Sequence, residues 1–287
     1  MMRSLYSGVT GLRNHQTKMD VIGNNIANVN TVGFKSSRAV FQDIYSNTIK
    51  TASAPDGENS GGTNPQQIGL GVSIAAIDVL HTKGAPQYTG EPLDFSIDGD
   101  GYFIIKDGTL ERYTREGNFY LSVDDRLVSA SGDYIQGFAF ELDANGDVVL
   151  DDDGNPIFTQ ELTEIRIDPG YYDVTIDKNG LVIALDSQTN VKTVLGQVAL
   201  ATFSNVSGLE KSGNNTYMST VNSGEASYTN PGRGGAGALN PGTLEMSNVD
   251  LANEFTDMIV TQRGFQANSR IITTSDSMLE ELVNLKR

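Results

Sequence analysis

The sequence predicts an α+β protein whose two ends are long helices and whose middle is β-rich. Near the N-terminus apolar residues recur every three or four positions, and near the C-terminus they recur every seven, as in amphipathic helices. Between these ends, short alternating or apolar runs are separated by Gly, Asn and Asp, which is typical of antiparallel strands joined by tight turns. We expect discontinuous terminal α-helices that form a coiled-coil-like inner domain, and a mostly antiparallel β outer domain.

The N-terminal helix is predicted from an apolar stripe over residues 4–29, with Gln16 in its one gap. The stripe consists of Leu5, Val9, Leu12, Met19, Ile22, Ile26 and Val29. Residues that tolerate left-handed backbone conformations crowd the far end of the helix, in "NNIANVNTVGFK" (24–35). They are Asn24, Asn25, Asn28, Asn30 and Gly33, and Phe34 follows them. We expect the helix to end in this stretch, with a turn at Gly33 that Phe34 anchors.

The C-terminal helix is predicted from a heptad repeat of apolar residues. Its main positions hold Leu251, Met258, Phe265, Ile272 and Leu279, and two of the intervening positions hold Phe255 and Val283. The other intervening positions are polar, so the seam is narrow. Burial of seven apolar side chains contributes on the order of 10 kcal/mol, which an isolated helix in water does not gain. We therefore expect both terminal helices to order when they associate with other chains.

The middle of the chain is set off from the helices by two stretches rich in Gly, Pro, Asn and Ser, 51–67 and 228–242. These stretches predict linkers, and with them a three-part organisation. Its parts are an inner polymerisation domain (1–34 and 245–287), linker or hinge segments (35–72 and 225–244) and an outer β domain (73–224). Within the β domain, residues 138–167 match no motif, and we interpret them as either a longer hairpin or a small insertion.

Charge and composition exclude several classes of function. The formal net charge is -16, and residues 91–186 alone carry 22 acidic against 6 basic side chains, a surface that repels nucleic acid phosphates. Cysteine is absent, which excludes disulfides and thiolate metal sites. No run of 18 or more apolar residues occurs, and the N-terminus lacks the pattern of a signal peptide, so we expect neither membrane insertion nor classical secretion.

No residue pattern points to catalysis, a cofactor or a metal. The glycines of "GRGGAG" (232–237) have neither a strand before them nor a helix after them, as a nucleotide loop requires. The acidic stretch 143–154 lacks the Gly and the Glu that a calcium loop needs at its sixth and twelfth positions. His15 and His81 are the only histidines, and local spacing assembles no catalytic triad or paired-His site. We expect no catalytic, cofactor-binding or metal-binding residues.

Six stretches of the chain resemble the shared motifs of the bacterial flagellar rod and hook proteins. They are "SLYSGVTGL", "MDVIGNNIANVNTVGFK", "IDGDGYF", "YTREGNF", "LEMSNVDLANEFTDMIVTQRGFQANSRII" and "LVNLK". They lie, in the right order, in both terminal segments and the first part of the β body, regions that make up about half of the chain. Within this family the motifs "SNVDL" (247–251), "QRGFQ" (262–266) and the "LVNLKR" ending most resemble the hook protein of Gram-positive type. The distal rod protein is the alternative, because its terminal segments are similar and the chain is short for a hook subunit.

The resemblance implies a structural subunit that polymerises into the tubular flagellar hook, transmits motor torque to the filament and encloses the export channel. The stripes of the two helices would then be polymerisation contacts, and residues 24–34 would mark where the chain leaves for the outer domain. The implied partners are other copies of the chain, adjacent axial proteins (distal rod, hook cap and hook–filament junction) and the flagellar type III export apparatus. The implied location is the basal body and hook, outside the cell after export. An alternative from another class is a β domain for adhesion or binding that the helices oligomerise.

Overall fold

The computed structural model describes residues 2–55, 61–108, 110–140, 158–167, 170–187 and 191–285. Two compact units divide the chain. The helical unit comprises Met1–Ala27, Ser36–Leu80 and Val249–Arg287, and the β unit comprises Asn28–Lys35 and His81–Asn248. The chain therefore passes from one unit to the other four times.

The described part of the chain contains two long helices, α1 (Met2–Ala27) and α2 (Leu251–Asn284), and a short 3₁₀ turn, Val206–Gly208. Its strands, in chain order, are β1 (Ser37–Asp43), β2 (Ser46–Lys50), β3 (Gln66–Gly69), β4 (Val72–Val79), β5 (Pro86–Tyr88), β6 (Phe95–Asp98), β7 (Tyr102–Asp107), β8 (Leu110–Thr114), β9 (Phe119–Leu121), β10 (Leu127–Ser129), β11 (Tyr134–Phe140), β12 (Phe158–Glu164), β13 (Tyr171–Ile176), β14 (Leu181–Asp186), β15 (Lys192–Val198), β16 (Leu200–Thr202), β17 (Glu210–Gly213), β18 (Thr216–Met218), β19 (Ser227–Thr229), β20 (Ala238–Pro241) and β21 (Thr243–Glu245).

In the helical unit, α1 packs against α2 and also contacts β1 and β4. The strands β1 and β4 form an antiparallel pair with a bulge between Val40 and Phe41, and β2 pairs with β3 in the same sense. Asp250 caps α2, because its side chain accepts hydrogen bonds from the backbone N–H groups of Ala252 and Asn253, which have no partner within the helix. The unit thus combines both ends of the chain with the hairpins that follow α1.

The β unit is built around one large sheet with the order β13-β14-β15-β11-β7-β8-β18-β17. The strand β7 is central, and apolar cores cover both of its faces. Phe103 and Ile105 lie in one buried cluster, whereas Tyr102 and Ile104 lie in a second cluster on the opposite face. All pairings between the strands of the described chain are antiparallel. The predicted α+β class with a mostly antiparallel β body is confirmed.

The helix boundaries require one correction at the N-terminal end. The helix α1 ends at Ala27, so Val29, which the stripe assigned to the helix, lies in the turn that follows. In this turn the backbone N–H of Thr31 donates to the carbonyl oxygen of Asn28 at 3.2 Å. Asparagine favours this break because its side chain competes with helical hydrogen bonds.

The two predicted linker segments contain strands. Residues 35–72 include β1, β2 and β3, and residues 225–244 include β19, β20 and most of β21. Strands of three to seven residues among Gly, Pro and Asn leave few positions for an alternating pattern, so composition alone suggested a linker. The hinge behaviour that we assigned to these segments stays a prediction.

Part of the predicted insertion 138–167 lies outside the described residues, as does all of the acidic stretch 143–154. Its described flanks belong to the sheet, because β11 pairs with β12 and also with β7 and β15.

Candidate functional site

The two terminal helices approach each other closely where α1 carries glycines. A β-carbon on Gly11 would stand 2.7 Å from Nδ2 of Asn268, and one on Gly8 would stand 3.2 Å from a side-chain carbon of Ile272. On the other side of the seam, a β-carbon on Gly264 would stand 2.7 Å from Cε1 of His15. Glycine is required where a neighbouring helix or ring occupies the space of a side chain.

On α2, the side of the helix that packs against α1 contains one of the two rows of the predicted heptad pattern. Met258, Phe265, Ile272 and Leu279 are half-buried in the single chain, and their role as polymerisation contacts stays a prediction. The second row of the seam is different from the expectation, because it consists of Glu254, Thr261, Asn268 and Ser275, of which Thr261 and Ser275 are buried. These polar or small side chains carry no hydrophobic signal, which is why the pattern did not reveal them.

Three residues that we assigned to the C-terminal seam are exposed instead. Leu251 and Phe255 have exposed fractions of 39% and 50%, and Val283 has 65%. Phe255 lies one position beyond Glu254 of the second row, so the helical rotation carries it out of the seam. Further apolar residues of α2 and its C-cap Leu285 are exposed along with them: Ile259, Val260, Ile271, Met278 and Leu282.

Exposed apolar side chains also occur elsewhere in the helical unit. On α1 the stripe residue Val9 is exposed together with Met2 and Tyr6, whereas Ile22 is buried and Leu5, Leu12, Met19 and Ile26 are half-buried. The strands and turns after α1 expose Val40, Phe41, Ile44, Tyr45, Ile49, Ile68 and Ile77. Most of the large exposed apolar residues in the described chain thus belong to the smaller, helical unit. When exposed apolar residues form a contiguous patch, the patch is typical of an interaction site.

Asn25 joins the end of α1 to the first strand. Its Nδ2 donates to the carbonyl oxygen of Ser37 at 2.8 Å, and its Oδ1 accepts from the Ser37 backbone N–H at 2.9 Å. The same Nδ2 lies 3.0 Å from Oε1 of Glu254 in the first turn of α2. Burial raises the pKa of Glu254, and the bond from Asn25 opposes that rise. One buried amide therefore ties α1, β1 and α2 together.

The predicted turn residues after α1 have separate roles. Gly33 has a φ of +68°, and a β-carbon there would stand 2.8 Å from the backbone nitrogen of Glu116. Phe34 is buried, and Nζ of Lys211 lies 4.9 Å from the centre of its ring. The Oδ1 of Asn28 accepts a hydrogen bond from the Thr31 hydroxyl, while Asn24 and Asn30 are exposed.

A buried ionic cluster lies just beyond this turn. Nζ of Lys35 is 2.6 Å from Oε1 of Glu245, and Nη1 of Arg115 is 3.3 Å from Oε2 of the same carboxylate. The side chains of Lys35, Arg115 and Glu245 have exposed fractions of 0%, 3% and 1%. We call Lys35, Arg115 and Glu245 the Glu245 cluster. Buried charges of this kind are tolerated only when they are paired and hydrogen-bonded.

Burial and nearby charges shift the pKa values of Lys35 within the Glu245 cluster and of His81 beside it. Burial lowers the pKa of Lys35, and the charge of Glu245 opposes that effect. Burial, together with the positive charges of Lys35, Arg115 and Lys211, lowers the pKa of His81 to about 4. Nδ1 of His81 lies 2.7 Å from the hydroxyl of Tyr102, whose pKa is raised by burial. A neutral imidazole therefore faces the cationic side of the cluster.

The sequence analysis missed all three members of the Glu245 cluster. Arg115 and Lys35 are 130 and 210 positions away from Glu245, so no local spacing links them to it. Each of them nevertheless lies inside one of the quoted motifs: Lys35 ends "NTVGFK", Arg115 lies in "YTREGNF" and Glu245 in "LEMSNVDL". The signal available was the presence of a charged residue within each of these motifs.

The described residues offer no support for two other kinds of site. None of the helices combines the length and the apolarity needed to cross a membrane. Among the described residues, no group of three or more His, Asp or Glu side chains is arranged to hold a metal ion.

Three family models match the chain. The model described as flagella basal body rod protein matches residues 5–35, the model of the flagellar hook protein FlgE/F/G D1 domain matches 96–184, and the model of the flagellar basal body rod FlgEFG protein C-terminal matches 240–285.

Curated relatives match the chain over its whole length. The flagellar basal-body rod protein FlgG of Bacillus subtilis is 51% identical over 288 positions, which cover 100% of both chains. FlgG of Borreliella burgdorferi is 36% identical over 289 positions, again covering 100% of both chains. The flagellar hook protein FlgE of Borreliella burgdorferi is 33% identical, with 100% of both chains spread over 443 aligned positions.

Proposed function

The chain belongs to the flagellar rod and hook protein family, and from this membership we propose that it is a subunit of the distal rod of the flagellar basal body. It is a structural protein of the flagellum and not an enzyme, as the sequence predicted. The observation that carries the proposal is its 51% identity with a basal-body rod protein over the full length of both chains.

Chain length supports the rod over the hook that the sequence motifs favoured. The rod relatives align over 284 to 289 positions, close to the 287 residues of this chain. The hook relatives need 443 and 466 positions, so they contain segments that this chain lacks. The model that matches the C-terminal motifs describes rod and hook proteins together, so these motifs are a weak basis for choosing the hook over the rod.

The proposed mechanism is polymerisation through the helical unit. In an isolated chain, Phe255, Ile259 and Val260 leave a large part of their surface in water at the start of α2. Burying each of these side chains against a neighbour contributes about 1.5–3 kcal/mol. We propose that the exposed faces of α1 and α2 contact other copies of the chain, and that helices so assembled form the inner, coiled-coil-like domain around the export channel.

The pair α1 and α2 supports this assignment in a second way. Because the glycines and small polar residues bring the two helices into close contact, the pair is fixed as one body that presents a defined apolar surface. The acidic β unit would remain outside, in contact with adjacent axial proteins and with water. Passage through the flagellar type III export apparatus belongs to the same proposal.

The proposal is tested by imaging basal bodies in source cells that lack this protein. For a distal rod subunit we expect basal bodies whose rod is incomplete and which carry no hook, and we expect the full-length chain to restore both. Electron cryotomography of the mutant cells measures the length of the rod directly. A complete rod that lacks only the curved hook would contradict the proposal and would indicate a hook subunit instead.

A further inference from the structure

The carboxylate and the backbone of Glu245 are both used to hold neighbouring segments. The carbonyl oxygen of Glu245 accepts from the Gly33 backbone N–H at 2.8 Å, and Oε1 accepts from the Gly84 N–H at 2.9 Å. Nζ of Lys35 bridges the same Oε1, at 2.6 Å, to the carbonyl oxygen of Thr82, at 2.7 Å. Residues 33–35, 82–84 and 245 thus share one hydrogen-bonded centre.

Close backbone packing accompanies these bonds. The backbone N–H of Met246 donates to the carbonyl oxygen of Ala85 at 3.0 Å. A β-carbon on Gly84 would stand 1.9 Å from the carbonyl oxygen of Met246, so the two segments touch along their main chains. Arg115 holds the other carboxylate oxygen, and its Nη2 donates to the carbonyl oxygen of Gly99 at 2.9 Å. The centre is therefore anchored to the large sheet.

The segments that meet at Glu245 are those by which the chain leaves or enters the β unit. The chain changes units after Lys35, after Leu80 and after Asn248, in addition to the change after Ala27. Residues 33–35, 82–85 and 243–246 lie within five positions of the first three of these changes, and all of them belong to the β unit.

We propose that Glu245 is a latch that makes these three segments of the β unit open and close together. Without the carboxylate, Lys35 and Arg115 are two buried cations with no anion between them, and such a state is strongly unfavourable. While the carboxylate is present, no one segment separates without breaking bonds to the other two. The latch therefore acts as a single cooperative element at three of the four places where the chain enters or leaves the unit.

The latch is tested by hydrogen exchange in the full-length, unassembled chain. For Glu245→Gln we expect exchange about a hundredfold faster or more in residues 33–36, 82–85 and 243–246 at once. The central strand β7 should keep its protection, because its two cores are untouched. Exchange that rises only around residue 245, or rises equally in β7, would overturn the proposal.

Two further variants separate the latch from a general loss of stability. In a Lys35→Met/Arg115→Met background Glu245 is itself the unpaired buried charge, so adding Glu245→Gln should slow exchange in the three segments or leave it unchanged. The same large increase in this background would overturn the proposal, because it would not depend on the two cations. Asp98→Asn is the matched control, since it breaks the ion pair with Lys83 in which both side chains are partly exposed. Little change is expected there.

If the Glu245→Gln variant does not fold, the single Lys35→Met variant provides the same test in a chain that we expect to fold. It leaves one cation and one anion, so a smaller and still simultaneous increase in the three segments is expected, and an increase confined to residues 33–36 would overturn the latch. These outcomes do not depend on whether the chain forms the rod or the hook. Failure of the latch would therefore leave the proposed function standing, and the reverse is also true.

Discussion

At the scale of single residues, the β unit keeps a histidine neutral beside a buried cationic cluster. The ring of His81 contacts Tyr102 and Tyr217, with ring centres 6.1 and 5.5 Å apart. Lys35, Arg115 and Lys211 are the cations that lower its pKa in addition to burial. Glu245, which pairs with two of these cations, supplies the nearby negative charge.

The unfolding free energy of the β unit should therefore decrease as the pH falls, because His81 becomes protonated. Its pKa falls from 6.5 to about 4 on folding, so the unfolded chain binds the proton first. The contribution of the neutral ring is complete above pH 6.5 and is lost as the pH falls from about 6.5 toward 4. Because the ring is partly open to water, we expect a loss of about 1–2 kcal/mol.

His81→Asn provides the matched measurement, because it keeps a polar atom near the Tyr102 hydroxyl and does not titrate. Chemical unfolding of both proteins between pH 7 and pH 4 gives the difference in unfolding free energy at each pH. The wild-type protein should lose the extra amount within this window, and parallel curves for the two proteins would show that His81 does not carry the effect.

At the scale of elements, the packing of α1 against α2 depends on where each helix has a glycine. Gly264 lies against the ring of His15, which also packs edge-on to Phe41 at 5.9 Å between ring centres. Gly23 in α1, by contrast, has nothing within 4 Å of the position of a β-carbon. The same chemical change should have opposite effects at the two positions.

Gly264→Ala should destabilise the helical unit by about 1–2 kcal/mol, because the added methyl group overpacks the seam and His15 has little room to move. Gly23→Ala should stabilise it by about 0.5–1 kcal/mol, because alanine restricts the unfolded chain and favours a helix. Thermal unfolding followed by circular dichroism at the helical band measures both. If Gly23→Ala also destabilised the helical unit, the space around each glycine would not explain the effect of the added methyl group.

The elements also define what the sequence could predict and what it could not. The stripe of α1 and the row Met258, Phe265 and Ile272 were predictable, because apolar periodicity reflects burial directly. The row with Thr261 and Ser275 was not, because small polar residues enter a seam through close approach and leave no hydrophobic pattern. Likewise, the pairing of Lys35 with Glu245 spans 210 positions and depends on the folded sheet.

At the scale of the whole molecule, the exposed apolar surface of the helical unit is the feature that assembly should remove. Phe255 has an exposed fraction of 50% and lies outside the seam with α1, so it contributes little to the stability of the free chain. This makes Phe255 a better probe of polymerisation than Phe265, whose half-buried ring belongs to the seam.

Phe255→Asp should raise the concentration needed for polymerisation at least tenfold, because the lost burial is worth about 1.5–3 kcal/mol at each contact. The melting temperature of the unassembled chain should stay nearly unchanged, as is usual for exposed positions. Sedimentation of purified chains at increasing concentration measures assembly. Thr256→Asp is the control, because it adds the same charge at the next exposed position without removing apolar surface. Equal polymerisation by wild type and Phe255→Asp would exclude this face.

The sequence separation between hydrogen-bonded partners also indicates the order in which these contacts form during folding. The amide of Asn25 reaches Ser37 across only 12 positions, so a short loop closes when α1 meets β1. Lys35 reaches Glu245 across 210 positions, and for a disordered chain closing that loop costs about 2.5 kcal/mol more in entropy. The hydrogen bonds of Asn25 should therefore form early in folding, and the Glu245 cluster should form late. The ion pair between Lys35 and Glu245 can form only after most of the chain between these two residues has folded.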